Sequence, residues 1–194
     1  MKKIIFTIAV VLTATIANAQ LREKGTTELI PQIGYSSSNY VGNQVGSGNS
    51  PITDLSFGVA GDYFFNNRWS LRSGLLFQTM GTEISVGTEK LKYITFPVNA
   101  NWHFGSTRKW NLNFGPSIGF LTSATDNGTD VKELFNTTQL GLNYGIGYKI
   151  EVSKQISILI DYQGMSGLSK IAKDSSINVK NAYGSFDLGC VFKL

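Results

Sequence analysis

A small group of ionisable side chains falls where its members could act together. Glu28, Asp62, Arg72, Asp161 and Asp187 lie at positions that an alternating strand pattern assigns to one face. A guanidinium can bridge two or more carboxylates, because its donors form a planar fork that matches carboxylate oxygens. Since buried charges need pairing, this set predicts a polar network inside the fold. The alternative is a narrow polar pathway gated by these charges.

The sequence offers few residues that could form a catalytic site or bind a metal ion. His103 is the only histidine and Cys190 the only cysteine, so the usual Cys and His ligand sets for zinc cannot form. A histidine base would need a nucleophile and an orienting group close by. We expect no catalytic residue, no metal and no cofactor. Cys190 cannot form a disulfide within the chain and is expected to face lipid as a small apolar side chain.

Strands must position these side chains. From Leu55 to Phe65 large apolar residues alternate with small or acidic ones, and from Gln139 to Ile150 apolar residues alternate with polar residues and glycine. Repeated glycine would be costly in a helix. The same period of two predicts eight strands, at 28–36, 54–65, 69–80, 91–104, 110–121, 138–150, 155–165 and 183–194.

The composition indicates that one face of these strands meets lipid. The chain is 12% aromatic and only 15% charged, against about 25% charged in soluble domains. In lipid every backbone polar group must be paired within the protein, which leaves helices and closed barrels. We predict an all-β fold, an eight-stranded antiparallel transmembrane up-and-down β-barrel. The alternative is a soluble β-sandwich with an aromatic core.

The predicted connections alternate in length. Those at 66–68, 105–109 and 151–154 are short, whereas those at 37–53, 81–90, 122–137 and 166–182 are long. Outer-membrane barrels have short periplasmic turns and long extracellular loops. The pattern therefore places both chain ends in the periplasm and the long loops outside the cell, where they could bind an unidentified extracellular ligand.

Aromatic residues on the lipid-facing register cluster near the short turns. Girdles of this kind lie at the two membrane interfaces of a barrel. The predicted girdle at this end, in contact with outer-membrane lipids, comprises Tyr63, Trp69, Trp102, Trp110 and Tyr148.

The N-terminal segment has the three parts of a secretory signal peptide. Lys2 and Lys3 precede an apolar run, and Ala17 and Ala19 form a small-residue cleavage site. We predict a signal peptide at 1–19 and one barrel domain at 20–194. Removing the two lysines lowers the basic count from 17 to 15, against 13 acidic residues, a formal charge of +2. So balanced a charge gives no basis for binding nucleic acid.

The C-terminal strand and several motifs carry a resemblance. Asp187, Gly189, Phe192 and Leu194 resemble the terminal signal that the barrel assembly machinery reads on its substrates. The segments YITFPV from Tyr93 and FGPSIG from Phe114 are similar to strands of the outer membrane protein β-barrel domain family, the Bacteroidetes-type "porin family" related to OmpX-like and OmpA-like barrels. The resemblance implies an outer-membrane location and no shared catalytic residues.

Function is less determined than fold. An eight-stranded barrel is just wide enough to be filled by its inward side chains, whereas water-filled channels need about sixteen strands. The favoured interpretation is a non-enzymatic, monomeric barrel with a structural or surface-interaction role through its loops. A narrow porin-like channel for ions or small polar solutes is the alternative, and a lipid-acting barrel enzyme is the third hypothesis.

Overall fold

The computed structural model describes residues 22–43, 45, 48–84 and 86–194, and the predicted signal peptide lies outside these residues. Eight long strands dominate the described part of the chain: β1 (Thr27–Gly42), β2 (Ser50–Phe64), β3 (Trp69–Ile84), β4 (Gly87–Phe104), β5 (Trp110–Asp126), β7 (Thr138–Glu151), β8 (Ile156–Gly167) and β9 (Val179–Lys193). The connection between β5 and β7 contains the two-residue strand β6 (Thr129–Asp130) and a 3-10 helix (Lys132–Leu134).

The eight long strands form one closed antiparallel sheet. Each pairs with the long strand before and after it in the chain, and β1 pairs with β9 to complete the circle. Closure satisfies the backbone groups that an open sheet would leave at its edges. The predicted eight-stranded up-and-down barrel is confirmed. Within the described residues, no helix is both long enough and apolar enough to span a membrane.

The predicted alternation of outward apolar residues with inward small or polar residues is also confirmed. Val59, Leu142 and Ile158 point outward and are exposed, whereas their neighbours Ala60 and Asn143 are buried in the lumen. In a strand, successive side chains point to opposite faces. The exposed face is apolar on all eight long strands, as a lipid-facing surface requires.

Proline interrupts the backbone ladder on one side of three strands without changing the register. Proline has no backbone N–H to donate to the neighbouring strand. The carbonyl of Pro97 is still paired, because the Ser73 hydroxyl donates a 2.8 Å hydrogen bond to it. Strand pairing skips short stretches that each contain one proline, namely Ile30 and Pro31 between β1 and β9, Phe96 and Pro97 between β3 and β4, and Gly115 and Pro116 between β4 and β5.

At the end of the barrel opposite the start of β1 and the end of β9, the strands are longer than predicted. Much of the predicted loops at 37–53, 81–90, 122–137 and 166–182 continues the barrel wall, and β4 alone has 18 residues. A tilted strand needs only about 9–11 residues to cross a bilayer. The outer parts of the strands therefore stand in water, where no apolar face is required. Because these parts carry polar residues on both faces, such as Ser37 and Ser38, the sequence pattern did not predict them as strand.

The short connections agree with the prediction to within a residue. The strands leave 65–68, 105–109 and 152–155 as turns at the end of the barrel where β1 begins and β9 ends. We call this the turn end of the barrel and the opposite one the loop end.

Candidate functional site

The turn end of the lumen is closed by three charged side chains, which we call the turn-end cluster: Arg22, Glu28 and Lys149. The Arg22 Nε atom lies 2.7 Å from one carboxylate oxygen of Glu28, and Lys149 Nζ bonds to the other. Both cations also lie over the ring of buried Phe64. Glu28 is thus paired on both oxygens, as a buried carboxylate requires.

The segment before β1 folds across this end. Arg22 also donates a 3.3 Å hydrogen bond to the carbonyl of Arg108, in the turn between β4 and β5. Sequence reasoning missed Arg22, which lies outside the predicted strands. It placed Lys149 on the inward side of its strand without assigning it to the network, although a cation at an inward position next to a predicted short turn was a usable signal.

His103 lies buried beside the turn-end cluster. Its Nε2 atom is 2.9 Å from the Ser70 hydroxyl, and its ring packs on Phe64 at 4.7 Å between centroids. A serine and histidine at this distance resemble two members of a catalytic triad. Among the described residues, however, no carboxylate hydrogen-bonds to the histidine, and both side chains are buried. The arrangement lacks both the orienting acid and access for a substrate.

The middle of the lumen holds a central cluster of Asp62, Arg72 and Asp161. Asp62 and Arg72 are paired residues on β2 and β3, and Arg72 donates to both Asp62 oxygens at 3.0 and 2.9 Å. Its remaining terminal nitrogen donates to Asp161 on β8, across the lumen, at 2.8 Å. One guanidinium thus ties three strands together.

Amide side chains complete the central cluster. Asn101 donates to both Asp62 oxygens at 3.3 and 3.2 Å, and Gln163 donates to Asp161 at 2.8 Å. Charge-assisted bonds of this kind are stronger than bonds between neutral groups. The cluster therefore fixes the central cross-section of the barrel.

Asp187 belongs to neither cluster. Its carboxylate accepts hydrogen bonds from Ser185 at 2.7 Å and from Ser56 at 3.4 Å. Of the five residues predicted as one polar network, only Asp62, Arg72 and Asp161 are in direct contact. Glu28 is paired with Asp62 on β1 and β2, and Asp187 with Asp161 on β9 and β8, yet the Glu28 and Asp187 side chains bond to other partners.

Between the central cluster and Asp187 the lumen contains a cavity of about 40 Å³, lined in part by Arg72, Asn99, Asp161 and Asp187. A water molecule needs roughly 10–15 Å³ of such volume. The cavity can hold a few waters, but it is far too small for an open passage.

The loop end of the lumen is closed by apolar side chains. We call them the loop-end cluster: Tyr40, Met80, Leu91, Tyr93, Leu121, Ala124, Phe135, Met165, Ile171 and Tyr183. Phe135 and Ile171 come from the connections beyond β5 and β8, which fold inward over the mouth. No sequence pattern predicts this cluster, because the connections that contribute Phe135 and Ile171 are predicted as extracellular loops.

The predicted aromatic girdle lies on the outer surface at the turn end, with Tyr63, Trp69, Trp102, Trp110 and Tyr148 all at least partly exposed. Trp102 stacks on Phe104 at 5.1 Å between centroids, and Trp110 contacts Tyr148 at 4.8 Å. Phe120, on the same strand as Trp110, follows ten residues later. With about 3.4 Å per residue and a tilt of about 40°, the two rings stand ~26 Å apart along the barrel axis, the height of a membrane's apolar band.

The residues of the predicted assembly signal lie at the end of β9. Asp187 and Gly189 face the lumen, while Phe192 and Leu194 are exposed. Recognition by the assembly machinery stays a prediction.

A closed barrel with an apolar outer wall, a ring of aromatic side chains and a filled polar lumen defines the class of small membrane-spanning β-barrels. The model of the outer membrane protein beta-barrel domain family matches residues 6–192. The chain belongs to this family, and the protein is a barrel of the bacterial outer membrane.

Solved structures show the same fold. The crystal structure of Neisserial surface protein A (NspA) is 14% identical, with a TM-score of 0.58, and the match covers 88% of this chain and 99% of NspA. The outer membrane protein OprG from Pseudomonas aeruginosa is 13% identical, with a TM-score of 0.58, covering 89% of this chain and 97% of OprG. A search of curated proteins found no match.

Proposed function

We propose that this protein is a non-enzymatic outer-membrane barrel with a closed lumen, which acts in the envelope through its structure and its loop-end surface. The observation that carries the proposal is closure at three levels, by the turn-end cluster, the central cluster and the loop-end cluster. A solute would have to break buried ion pairs and displace packed apolar side chains to pass. The match to NspA, which is named as a surface protein, supports a role at the cell surface.

Single-channel recording in planar bilayers tests closure. We expect no reproducible unit conductance from the purified barrel, while a water-filled porin under the same conditions conducts. Reproducible conductance that is absent from empty bilayers would favour the narrow channel and would overturn the proposal.

An assay for lipid modification tests the non-enzymatic part. The buried Ser70 and His103 pair is the only serine–histidine contact that the described residues offer for the lipid-acting alternative. We expect no acyl-transfer or hydrolase activity on outer-membrane lipids. An activity that is present in the protein and lost in His103→Ala would show that the barrel is an enzyme.

The proposal places the turn end and both chain ends in the periplasm, and the loop end outside the cell. Short turns on the periplasmic side are the rule for such barrels. A membrane-impermeant maleimide can test this in a Cys190→Ser background. On intact cells we expect labelling of Val86→Cys, between β3 and β4, and none of Asn66→Cys, between β2 and β3. The reverse pattern would invert the orientation.

The proposal includes export and assembly. Cleavage after Ala19 would leave a mature N-terminus at Gln20, which N-terminal sequencing of the membrane-fraction protein can establish.

The assembly signal can be tested by Phe192→Ala, which should lower the amount of folded barrel in the outer membrane. Phe186→Ala, at a more exposed outward residue on β9 outside the signal, should have a weaker effect.

A further inference from the structure

A second, larger cavity opens at the loop end. It has a volume of about 490 Å³ and begins where the loop-end cluster stops, with Phe135 and Ile171 in its lining. Leu134 and Ile177 add further apolar surface from the connections on either side. The volume lies within the range of roughly 300–1,000 Å³ that is typical of small-molecule sites.

The walls of this cavity are held in place by hydrogen bonds between the two connections. The Asn136 amide donates to the carbonyl of Ile171 at 2.7 Å, and the Lys173 amide donates to that of Leu134 at 2.9 Å. The Asn136 side chain donates to the Ala172 carbonyl at 2.9 Å. A ligand would therefore enter a preformed site, which lowers the ordering cost of binding.

Apolar side chains in this cavity are exposed to water. Leu134 is 64% exposed and Ile177 is 37% exposed. Both lie in connections that follow the parts of the strands beyond the length needed to cross a bilayer. Contiguous exposed apolar surface with a polar rim marks interaction sites. Unlike the exposed residues of the barrel wall, these side chains have no lipid to cover them.

The charges around the cavity are mostly negative. Glu89, Glu133 and Asp174 line it, against the single cation of Lys173. Among the described residues, neither glutamate forms an ion pair. Asp174 carries a negative charge at neutral pH, as an ordinary aspartate does, and hydrogen bonds from the hydroxyl and amide of Ser176 lower its pKa further. Electrostatic complementarity favours a cationic group at this rim.

We propose that this cavity binds a small amphiphilic cation, with an aliphatic or aromatic body in the apolar part and an amine at the acidic rim. This activity is separate from closure of the lumen, and binding would not require passage through the barrel. It would give the loop end a specific small-molecule ligand.

Methyl NMR of the barrel in lipid nanodiscs tests the proposal with hexylamine as the probe and hexanoate as its anionic match. We expect saturable shifts of the cavity methyl groups of Ile84, Ile171 and Ile177. The lipid-facing Ile33 and Ile158 should move little. Shifts confined to the lipid-facing residues would mean partition into the bilayer and would overturn the proposal. Equal affinity for hexanoate would overturn the cationic class.

A matched pair of variants locates the site. Leu134→Arg removes apolar lining and puts a cation into the cavity, where it repels the amine, and should weaken hexylamine binding at least about tenfold, or about 1.4 kcal/mol. Val86→Arg, at a residue 79% exposed on a neighbouring connection outside the cavity, should leave affinity unchanged. Equal affinity in the two variants would overturn the site. In Glu89→Gln, the preference for amine over carboxylate should fall.

Discussion

The outer wall and the lumen of this barrel are built by the same strands, yet they place different demands on the sequence. Leu142 is 46% exposed on the wall, and the next residue, Asn143, is 8% exposed in the lumen. Lipid is fluid and fits itself to any apolar side chain. The lumen has a fixed shape, so its side chains must match both the volume and the hydrogen bonding of particular partners. A side chain on the wall needs only to be apolar, whereas a side chain in the lumen must have a particular size and particular hydrogen-bonding groups.

The largest effect should come from the central cluster. Arg72→Ala leaves Asp62 and Asp161 buried without their cation, and removing one partner of a buried pair costs about 3–5 kcal/mol. We expect the free energy of unfolding, measured by urea titration in lipid vesicles, to fall by about this amount. Arg68→Ala, at an exposed turn position, is the control and should change it little. Equal effects would mean that the ion pairs do not hold the barrel together.

The next prediction tests the two faces directly. Leu142→Arg puts a charge into lipid and should cost about 2–4 kcal/mol near the bilayer midplane. Asn143→Ser stays polar in the lumen and loses one hydrogen bond, that from Ser117 at 3.0 Å, so its effect should be about 1 kcal/mol. Refolding titrations in vesicles measure both. The reverse order would show that the inside and outside assignments on β7 are wrong.

Close packing in the lumen gives a third contrast. A Cβ atom on Gly115 would lie 2.1 Å from the Val98 carbonyl oxygen, whereas one on Gly61 would have its nearest neighbour at 3.6 Å. The obstacle at Gly115 is backbone on the paired strand, which cannot rotate away. Gly115→Ala should therefore destabilise the barrel by about 1–3 kcal/mol.

Gly61→Ala is the control for this prediction and should be neutral or stabilising by up to about 1 kcal/mol. Both variants can be compared by the temperature at which the folded band disappears on a gel. Equal stability of the two would mean that β4 and β5 can separate at little cost.

The smallest effect comes from one substitution made on both faces. Ile30 is fully buried in the lumen, in a small apolar cluster with Ala60, Leu159 and Val191, and Ile30→Val should cost about 0.5–1.5 kcal/mol through the space it leaves. In Ile158→Val, on the wall, lipid fills that space, and the change should stay within about 0.5 kcal/mol. A larger loss at the wall would contradict the idea that lipid adapts to its side chains.

Period-two alternation predicted the strands and their two faces because it depends on one physical difference, that between apolar lipid outside the barrel and the polar lumen inside it. It located the eight strands and distinguished inward from outward positions along them. It also assigned the aromatic residues of the predicted girdle to the outer face, whereas their role at the membrane interface stays a prediction. It failed where both faces of a strand meet water or polar groups. The outer ends of the strands, including Ser37 and its neighbours, were therefore predicted as loops.

The central cluster shows where sequence reasoning stops. The pattern placed Arg72 inside among several carboxylates, but it could not select Asp62 and Asp161 over Glu28 and Asp187. That choice depends on which side chains the closed barrel brings together across the lumen, as it does for Arg72 on β3 and Asp161 on β8. The order of residues along one strand carries no information about these contacts.

The sequence by itself determined that the chain forms a barrel and which side chains face its interior, because alternation is a local property of each strand. Only the tertiary structure decided that Arg22 closes one end of the barrel and that Phe135 and Ile171 close the other. It also decided that an apolar cavity with an acidic rim lies on the outer side of Phe135 and Ile171. These arrangements join residues from distant parts of the chain through connections without a repeating pattern. Their geometry exists only after the barrel has closed.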